Sequence, residues 1–166
     1  QKALEYFLRS YKLSLAINDP YSVGTSSVNL GETYYKLGDD STALIYLNKS
    51  VKAYEGTENL PYSLNYIGRV YTRQKKYDKA IETHLKAYEF SKKLDTKLDM
   101  TQSLVGLAQA YYANGNIASS IDAYQRSLEV GIPLHAITEM KEAYEGLSLA
   151  YSKNADYSNA FKYQKL

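Results

Sequence analysis

The sequence repeats a small residue followed three positions later by tyrosine. The pair occurs four times, and its tyrosines lie 37, 40 and 40 positions apart. Nine positions after each tyrosine comes another small residue, and four positions later a larger one. The four copies are Gly31, Tyr34, Ala43 and Leu47; Gly68, Tyr71, Ala80 and His84; Ala108, Tyr111, Ser120 and Tyr124; and Ser148, Tyr151, Ala160 and Gln164. A repeat of this length indicates an array of similar supersecondary units, each stacked on the next.

Each unit has the pattern of two amphipathic helices. In the first half apolar residues recur at helical spacing, as in Leu104, Leu107 and Tyr111, and runs such as KAIETHLKAY continue this spacing in the second half. The break between the halves contains Gly38 in the first unit and Gly115 in the third. Glycine accepts the positive φ that ends a helix, so each unit is predicted to be a helical hairpin.

Other residues mark where helices begin. In the fourth unit the residue expected to take the positive φ is Asn154, which does so less readily than glycine. The cap of each second helix is predicted among Asp39 or Asp40, Asp78, Asn116 and Asp156, because their side chains accept hydrogen bonds from unpaired backbone N–H groups. All three prolines, Pro20, Pro61 and Pro133, fall at or near the start of a first helix, where a missing N–H does least harm.

These signals divide the chain into one helical array. We predict four units at 19–56, 57–95, 96–131 and 132–166, the last one truncated. Residues 1–18 have the pattern of a second helix whose first helix is missing. The sequence therefore looks like a fragment cut at both ends. We expect the apolar faces that neighbouring units would cover to pair either with another copy of the chain or with absent segments of a parent protein.

The order of small residue, tyrosine, tight turn, alanine and bulky residue resembles the tetratricopeptide repeat family over nearly the whole chain. Units of that family usually have about 34 residues. The longer spacing resembles a branch found in spindle-orientation adaptors, kinesin light chains and bacterial signalling proteins, especially at Asn29 to Gly31 and in AIETHLKAYEFSKKLD. The resemblance implies an all-α, right-handed superhelical solenoid of antiparallel hairpins. We expect the small residues to let the paired helices approach and the tyrosines to fill the space beside them.

The resemblance also assigns a binding surface. In the tetratricopeptide repeat family the first helices line a concave groove, and the positions off the Gly and Tyr stripe project into it. Amide and tyrosine side chains suit a peptide ligand, since they combine hydrogen bonding with contact area. The predicted groove residues are Val28, Asn29, Glu32, Tyr35, Tyr62, Asn65, Tyr66, Arg69, Arg73, Gln102, Gln109, Tyr112, Glu142 and Glu145.

Two arginines of this set suggest a contact to a ligand. Arg69 and Arg73 lie one helical turn apart and could form forked hydrogen bonds with a carboxylate. In the family's carboxylate-clamp variant, however, Val28 and Glu32 stand where Lys and Asn would be required, and Gly106 where Arg would be. This departure disfavours a chaperone tail as ligand. The alternative is a solvated face, with binding elsewhere or only within a parent protein.

Composition excludes several function classes. Lys and Arg number 20 against 18 Asp and Glu, and their scatter gives no basic surface for nucleic acid. No apolar run is long enough to span a membrane, and cysteine is absent. We interpret His84 as a satisfied, partly buried packing residue and His135 as an exposed one. No catalytic, metal-binding or cofactor-binding constellation is present, so we predict a non-enzyme without a cofactor.

The resulting functional prediction is a module that binds a protein or peptide. Resemblance implies the sensing or regulatory segment of a larger bacterial signalling protein, with a histidine kinase or nucleotide cyclase output. The alternative is a freestanding scaffold or adaptor that assembles partner proteins. The sequence leaves the compartment open between cytoplasm and periplasm, and it indicates no direct membrane contact.

Overall fold

The computed structural model describes residues 2–165, which form nine α-helices and contain no strand. This confirms the predicted all-α class. The helices are α1 (Lys2–Ala16), α2 (Pro20–Lys36), α3 (Asp40–Ala53), α4 (Leu60–Arg73), α5 (Tyr77–Leu94), α6 (Lys97–Ala113), α7 (Ile117–Gly131), α8 (Ile137–Lys153) and α9 (Tyr157–Gln164).

Four hairpins share one turn geometry. The pairs α2 and α3, α4 and α5, α6 and α7, and α8 and α9 are each joined by three residues, and the middle residue has positive φ. Gly38 and Gly115 take this position with φ of 83° and 84°, as predicted. The fourth turn corrects the prediction for Asn154, because Ala155 carries the positive φ of 60°. Lys75 does so in the second turn, so the fold imposes this backbone conformation even where the residue disfavours it.

Side-chain caps begin three of the four second helices. Asp39, Asn116 and Asp156 accept hydrogen bonds from backbone N–H groups three residues ahead, at 3.0, 3.2 and 3.1 Å. Hydrogen bonds from the side chains of Thr42 and Asn159, together with these backbone bonds, lower the pKa of Asp39 and Asp156. The prediction for Asp78 was wrong, because Asp78 lies inside the first turn of α5 and the cap position is Lys76.

The array curves because its two layers pack differently. The first helices contact one another in succession, α2 with α4, α4 with α6 and α6 with α8. Within the described residues, by contrast, no Cα of a second helix lies within 8 Å of the next second helix. The layer of first helices is therefore the shorter one. We call the surface that α2, α4, α6 and α8 present away from the second helices the inner face.

Bulky side chains of the second helices fill the space beside the small residues. A Cβ atom at Gly31 would lie 2.5 Å from Leu47, and one at Gly68 would lie 2.4 Å from the ring of His84. One of these bulky residues, His84, also contacts the following hairpin. The His84 ring would lie 2.2 Å from a Cβ at Gly106, a packing role for this glycine that the sequence analysis missed.

The repeated tyrosines occupy the edges of the core rather than its centre. Tyr34, Tyr71, Tyr111 and Tyr151 are half-buried and pack against the two clusters of buried apolar residues. In the outer units they stack on a second-helix tyrosine, with interplanar angles of 1° for Tyr34 on Tyr46 and 3° for Tyr151 on Tyr163. The expectation that they fill the space beside the small residues is thus corrected, although they do face the core. A half-buried position keeps the phenol O–H near water.

Candidate functional site

A polar pocket lies at the middle of the inner face, where α4, α6 and the start of α8 converge. It encloses about 170 Å³, and we call it the central pocket. Six predicted groove residues come together there with Thr138 and Glu139, which were not in the predicted set. The lining residues are Tyr62, Asn65, Tyr66, Arg69, Gln102, Thr138, Glu139 and Glu142.

Hydrogen bonds across the central pocket link three first helices. Arg69 on α4 donates to Glu142 on α8 at 3.2 Å, 73 positions along the chain. Gln109 on α6 donates to the same carboxylate oxygen at 3.0 Å, and Gln102 donates to Glu139 at 2.8 Å. Because α8 supplies both carboxylates, the pocket exists only when the third and fourth hairpins stack in this register.

Tyrosines extend this network toward the first hairpin. The hydroxyl of Tyr62 donates to Glu32 on α2 at 2.9 Å, and the rings of Tyr62 and Tyr66 have centroids 5.2 Å apart. Burial alone would raise the pKa of Glu32, but hydrogen bonds from Lys36, Tyr66 and Tyr62 outweigh it and lower this pKa. Burial raises the pKa of Tyr62 and Tyr66, so both phenols stay protonated donors.

The two predicted arginines bind separate carboxylates of the chain itself. Arg69 pairs with Glu142, and both side chains are just under a third exposed. Arg73 pairs with Asp40 at the start of α3, and its guanidinium carbon lies 3.9 Å from the centroid of the Tyr35 ring. A ligand carboxylate would therefore have to displace an internal partner at each arginine.

Two predicted groove residues are buried instead of presented. Val28 is 6% exposed and belongs to a cluster of buried apolar residues, and Asn65 is 4% exposed. The Asn65 amide donates to Ser103 at 3.0 Å, and its oxygen lies 3.1 Å from Nδ1 of His84. The groove position proposed for Val28 is therefore wrong, because this side chain packs between the helices. Asn65 does line the central pocket, but its polar atoms bind Ser103 and His84 within the chain.

His84 is more deeply enclosed than the sequence indicated. It is 0% exposed rather than partly buried, and Nε2 has no hydrogen-bond partner among the described residues. Burial, helped by the positive charge of Arg69, lowers the pKa of His84 to about 3. The ring is therefore a neutral packing element, whose Nδ1 is bound to Asn65.

The remaining predicted residues lie away from the central pocket. Asn29 is half-buried on α2. The Tyr112 ring has the ammonium of Lys153 4.9 Å from its centroid. Glu145 pairs with Lys141 at 3.9 Å and lines a different cavity of about 800 Å³ between α8 and α9. Glu139 was missed although it lies one helical turn before Glu142, a spacing that places both on the same helix face.

A metal site and a membrane-spanning helix are both absent from the part of the chain that the structure describes. Among residues 2–165 no three His, Asp or Glu side chains are grouped so that they could hold a metal ion. None of the helices in that range is long and apolar enough to cross a membrane.

Comparison with protein families decides what kind of chain this is. Residues 1–56 and 60–131 match a family model described as tetratricopeptide repeat, and residues 105–165 match a second model with the same description. The chain belongs to the tetratricopeptide repeat family. No curated protein sequence matches the chain.

Solved structures with the same fold share little sequence with this tetratricopeptide repeat chain. BtubC from P. vanneervenii has 18% identity and a TM-score of 0.82, over 99% of this chain and 70% of that one. Aspartyl phosphate phosphatase F from Bacillus subtilis has 16% identity and a TM-score of 0.85, over 97% of this chain and 43% of that one. The TPR-like repeats of a putative kinesin light chain from Podosopora anserina have 18% identity and a TM-score of 0.74, over 99% of this chain and 83% of that one. These similarities confirm the tetratricopeptide repeat solenoid.

Proposed function

We propose that the inner face of this tetratricopeptide repeat array binds a protein or peptide. The observation that carries the proposal is the central pocket, a concave polar site built by three consecutive hairpins. Its carboxylates, amides and phenols offer donors and acceptors to an extended or helical peptide. Family membership supports a protein-interaction module, since solenoids of stacked repeats present concave binding surfaces.

A peptide selection tests this proposal. Unbiased displayed peptides would be selected on the purified chain, and the binding surface would be mapped by NMR chemical shifts. We expect the shifted amide signals to cluster on α4, α6 and α8 around the central pocket. Clustering on the second helices, or in the cavity between α8 and α9, would contradict the proposal.

A matched pair of substitutions separates binding from stability. Gln102 lies on the inner face and Gln125 on the exposed side of α7, and each side-chain amide makes one hydrogen bond to another side chain. Gln102→Ala should weaken binding of a selected peptide by about threefold to tenfold, since the loss of one hydrogen bond to the peptide costs about 1 kcal/mol. Gln125→Ala should leave the affinity unchanged. Equal affinities for both variants would move the site off the inner face.

We further propose that the array is the sensing or regulatory segment of a larger bacterial signalling protein. The support is the long repeat spacing together with the fold shared with aspartyl phosphate phosphatase F, of whose length this chain spans 43%. The alternative is a freestanding scaffold or adaptor. The flanking coding sequence decides between them, because an adjoining kinase or cyclase domain supports only the first.

Self-association through the ends of the array stays a prediction. The prediction rests on exposed apolar residues of α8 and α9. Among them are Ile137, Leu149 and Phe161, which are 68, 58 and 57% exposed. Sedimentation equilibrium over a range of protein concentrations would test it. A monomer throughout the range would contradict it.

A further inference from the structure

The size of the central pocket limits what can enter it. Its volume of about 170 Å³ equals the share of about six water molecules in the liquid, at ~30 Å³ each. This is below the ~300 Å³ at which small-molecule sites begin, and an α-helix with its side chains is about 10 Å across. The central pocket therefore suits one long side chain projecting from a bound partner.

Charge selects the type of side chain. The positive charge of Arg69 is matched by Glu142, and Glu32 at the edge is matched by Lys36. Glu139 is half-buried and accepts a hydrogen bond from the neutral amide of Gln102, but none of the ion pairs among residues 2–165 includes it. The lining of the pocket therefore carries a net negative charge.

Two aromatic rings line the same pocket. Tyr62 and Tyr66 are half-buried, and their rings are tilted by 57° with centroids 5.2 Å apart. The face of a tyrosine ring attracts cations. Within this chain the pairing is already used nearby, where the Arg73 guanidinium lies over Tyr35.

We propose that the central pocket receives a lysine or arginine side chain of the bound partner, with its cation paired to Glu139 beside the rings of Tyr62 and Tyr66. The proposal rests on the inner-face binding proposed above and specifies its ligand. A carboxylate fits less well, because it would have to displace Glu142 from Arg69 and then lie beside both Glu139 and Glu142.

Four synthetic peptides test the selectivity of the pocket. Each is an acetylated and amidated heptapeptide of glycine and serine with Arg, Lys, Glu or Ala at its centre, added to the isotope-labelled chain at low salt. We expect the Arg and Lys peptides to shift the amide signals of Thr138, Glu139 and the pocket side of α4. The Glu and Ala peptides should leave these signals unchanged.

Charge-neutral substitutions test which carboxylate is responsible. Glu139→Gln keeps an acceptor for Gln102. It should lower the affinity for the Arg peptide about fivefold, the effect expected from the loss of one partly exposed ion pair. The control Glu129→Gln removes the same charge from an exposed position on α7 and should change the affinity less than twofold. Arg69→Gln should strengthen binding of the Arg peptide, because it removes a like charge.

Each contrary result has a distinct meaning. If the Glu peptide shifts the pocket signals and Arg69→Gln abolishes that effect, the pocket takes a carboxylate and this inference is overturned, whereas binding at the inner face stands. If none of the four heptapeptides shifts these signals, the inference also fails. If peptides selected from the library still map to the inner face, the proposed function stands. If no selected peptide maps there, both the proposed function and this inference fail.

Discussion

The buried His84 predicts a specific loss of stability in acid. In the folded chain its pKa is about 3, because the ring is fully buried and Arg69 adds positive charge nearby. In the unfolded chain the pKa returns to the ordinary value of 6.5. Between these two values the unfolded state binds more protons than the folded state, so the free energy of unfolding must fall as the pH falls.

The size of this loss follows from the difference between the two pKa values. Each pH unit below the unfolded pKa costs about 1.4 kcal/mol until the folded pKa is reached. From about pH 7 to about pH 4.5 the His84 contribution is therefore roughly 2 to 3 kcal/mol, with the full loss reached near pH 3. That is a large share of the roughly 5 to 15 kcal/mol by which natural domains are stable.

Urea unfolding followed by far-UV circular dichroism at both pH values measures the effect. The variant His84→Gln replaces the ring with a group that cannot titrate, and its amide can still donate to Asn65. The free energy of unfolding of the wild-type chain should fall by roughly 2 to 3 kcal/mol more than that of the variant. Aspartate caps such as Asp39 also lose stabilisation in acid, since their pKa values are lowered in the folded state, but this loss is common to both proteins.

The exposed His135 supplies the control. His135 has a φ of 53°, so His135→Asn keeps a residue that accepts this conformation. The control should show the same acid loss as the wild-type chain. Equal acid losses in the wild-type chain and His84→Gln would refute the claim that a neutral, enclosed imidazole separates the second and third hairpins.

Two further predictions concern the packing of the hairpins. Gly146→Ala should lower the free energy of unfolding by about 1 to 3 kcal/mol, because the added Cβ would lie 2.1 Å from the Tyr124 ring. In the double variant, Tyr124→Leu should relieve part of that clash. Urea unfolding of the single and double variants measures both effects, and additive losses of stability would contradict a direct clash. Asn65→Ala should lower the free energy of unfolding by about 1 to 3 kcal/mol, because Nδ1 of His84 loses its partner. The control Gln125→Ala should not change the midpoint of thermal unfolding. An unchanged midpoint for Asn65→Ala would show that the Asn65 amide does not stabilise the fold.

The local pattern of the sequence was sufficient to predict the hairpins. The period of the small residue and tyrosine placed each turn, and Gly38, Gly115, Asp39 and Asn116 do what their backbone preferences predict. Ala155 shows the limit of this reasoning. Its positive φ is imposed by the geometry shared by all four turns, and no residue preference signals it.

The inner face was predicted only in part. Half-buried residues such as Tyr62, Arg69 and Glu142 come together as expected, because helical periodicity places them on one face. Their partners depend on the curvature of the array, which brings Glu142 to Arg69 over 73 positions. No local pattern encodes a contact between hairpins that are not adjacent. Val28 was misplaced because it joins a cluster of buried apolar residues to which several helices contribute, and the pattern of α2 alone does not reveal that cluster.

A crystal structure of the chain with a selected peptide bound would show where the binding surface lies. We predict that the peptide follows the inner face across α4, α6 and α8 and places a lysine or arginine side chain in the central pocket, within hydrogen-bond distance of Glu139. A peptide seated on the second helices or between α8 and α9, with the central pocket empty, would contradict the proposed function.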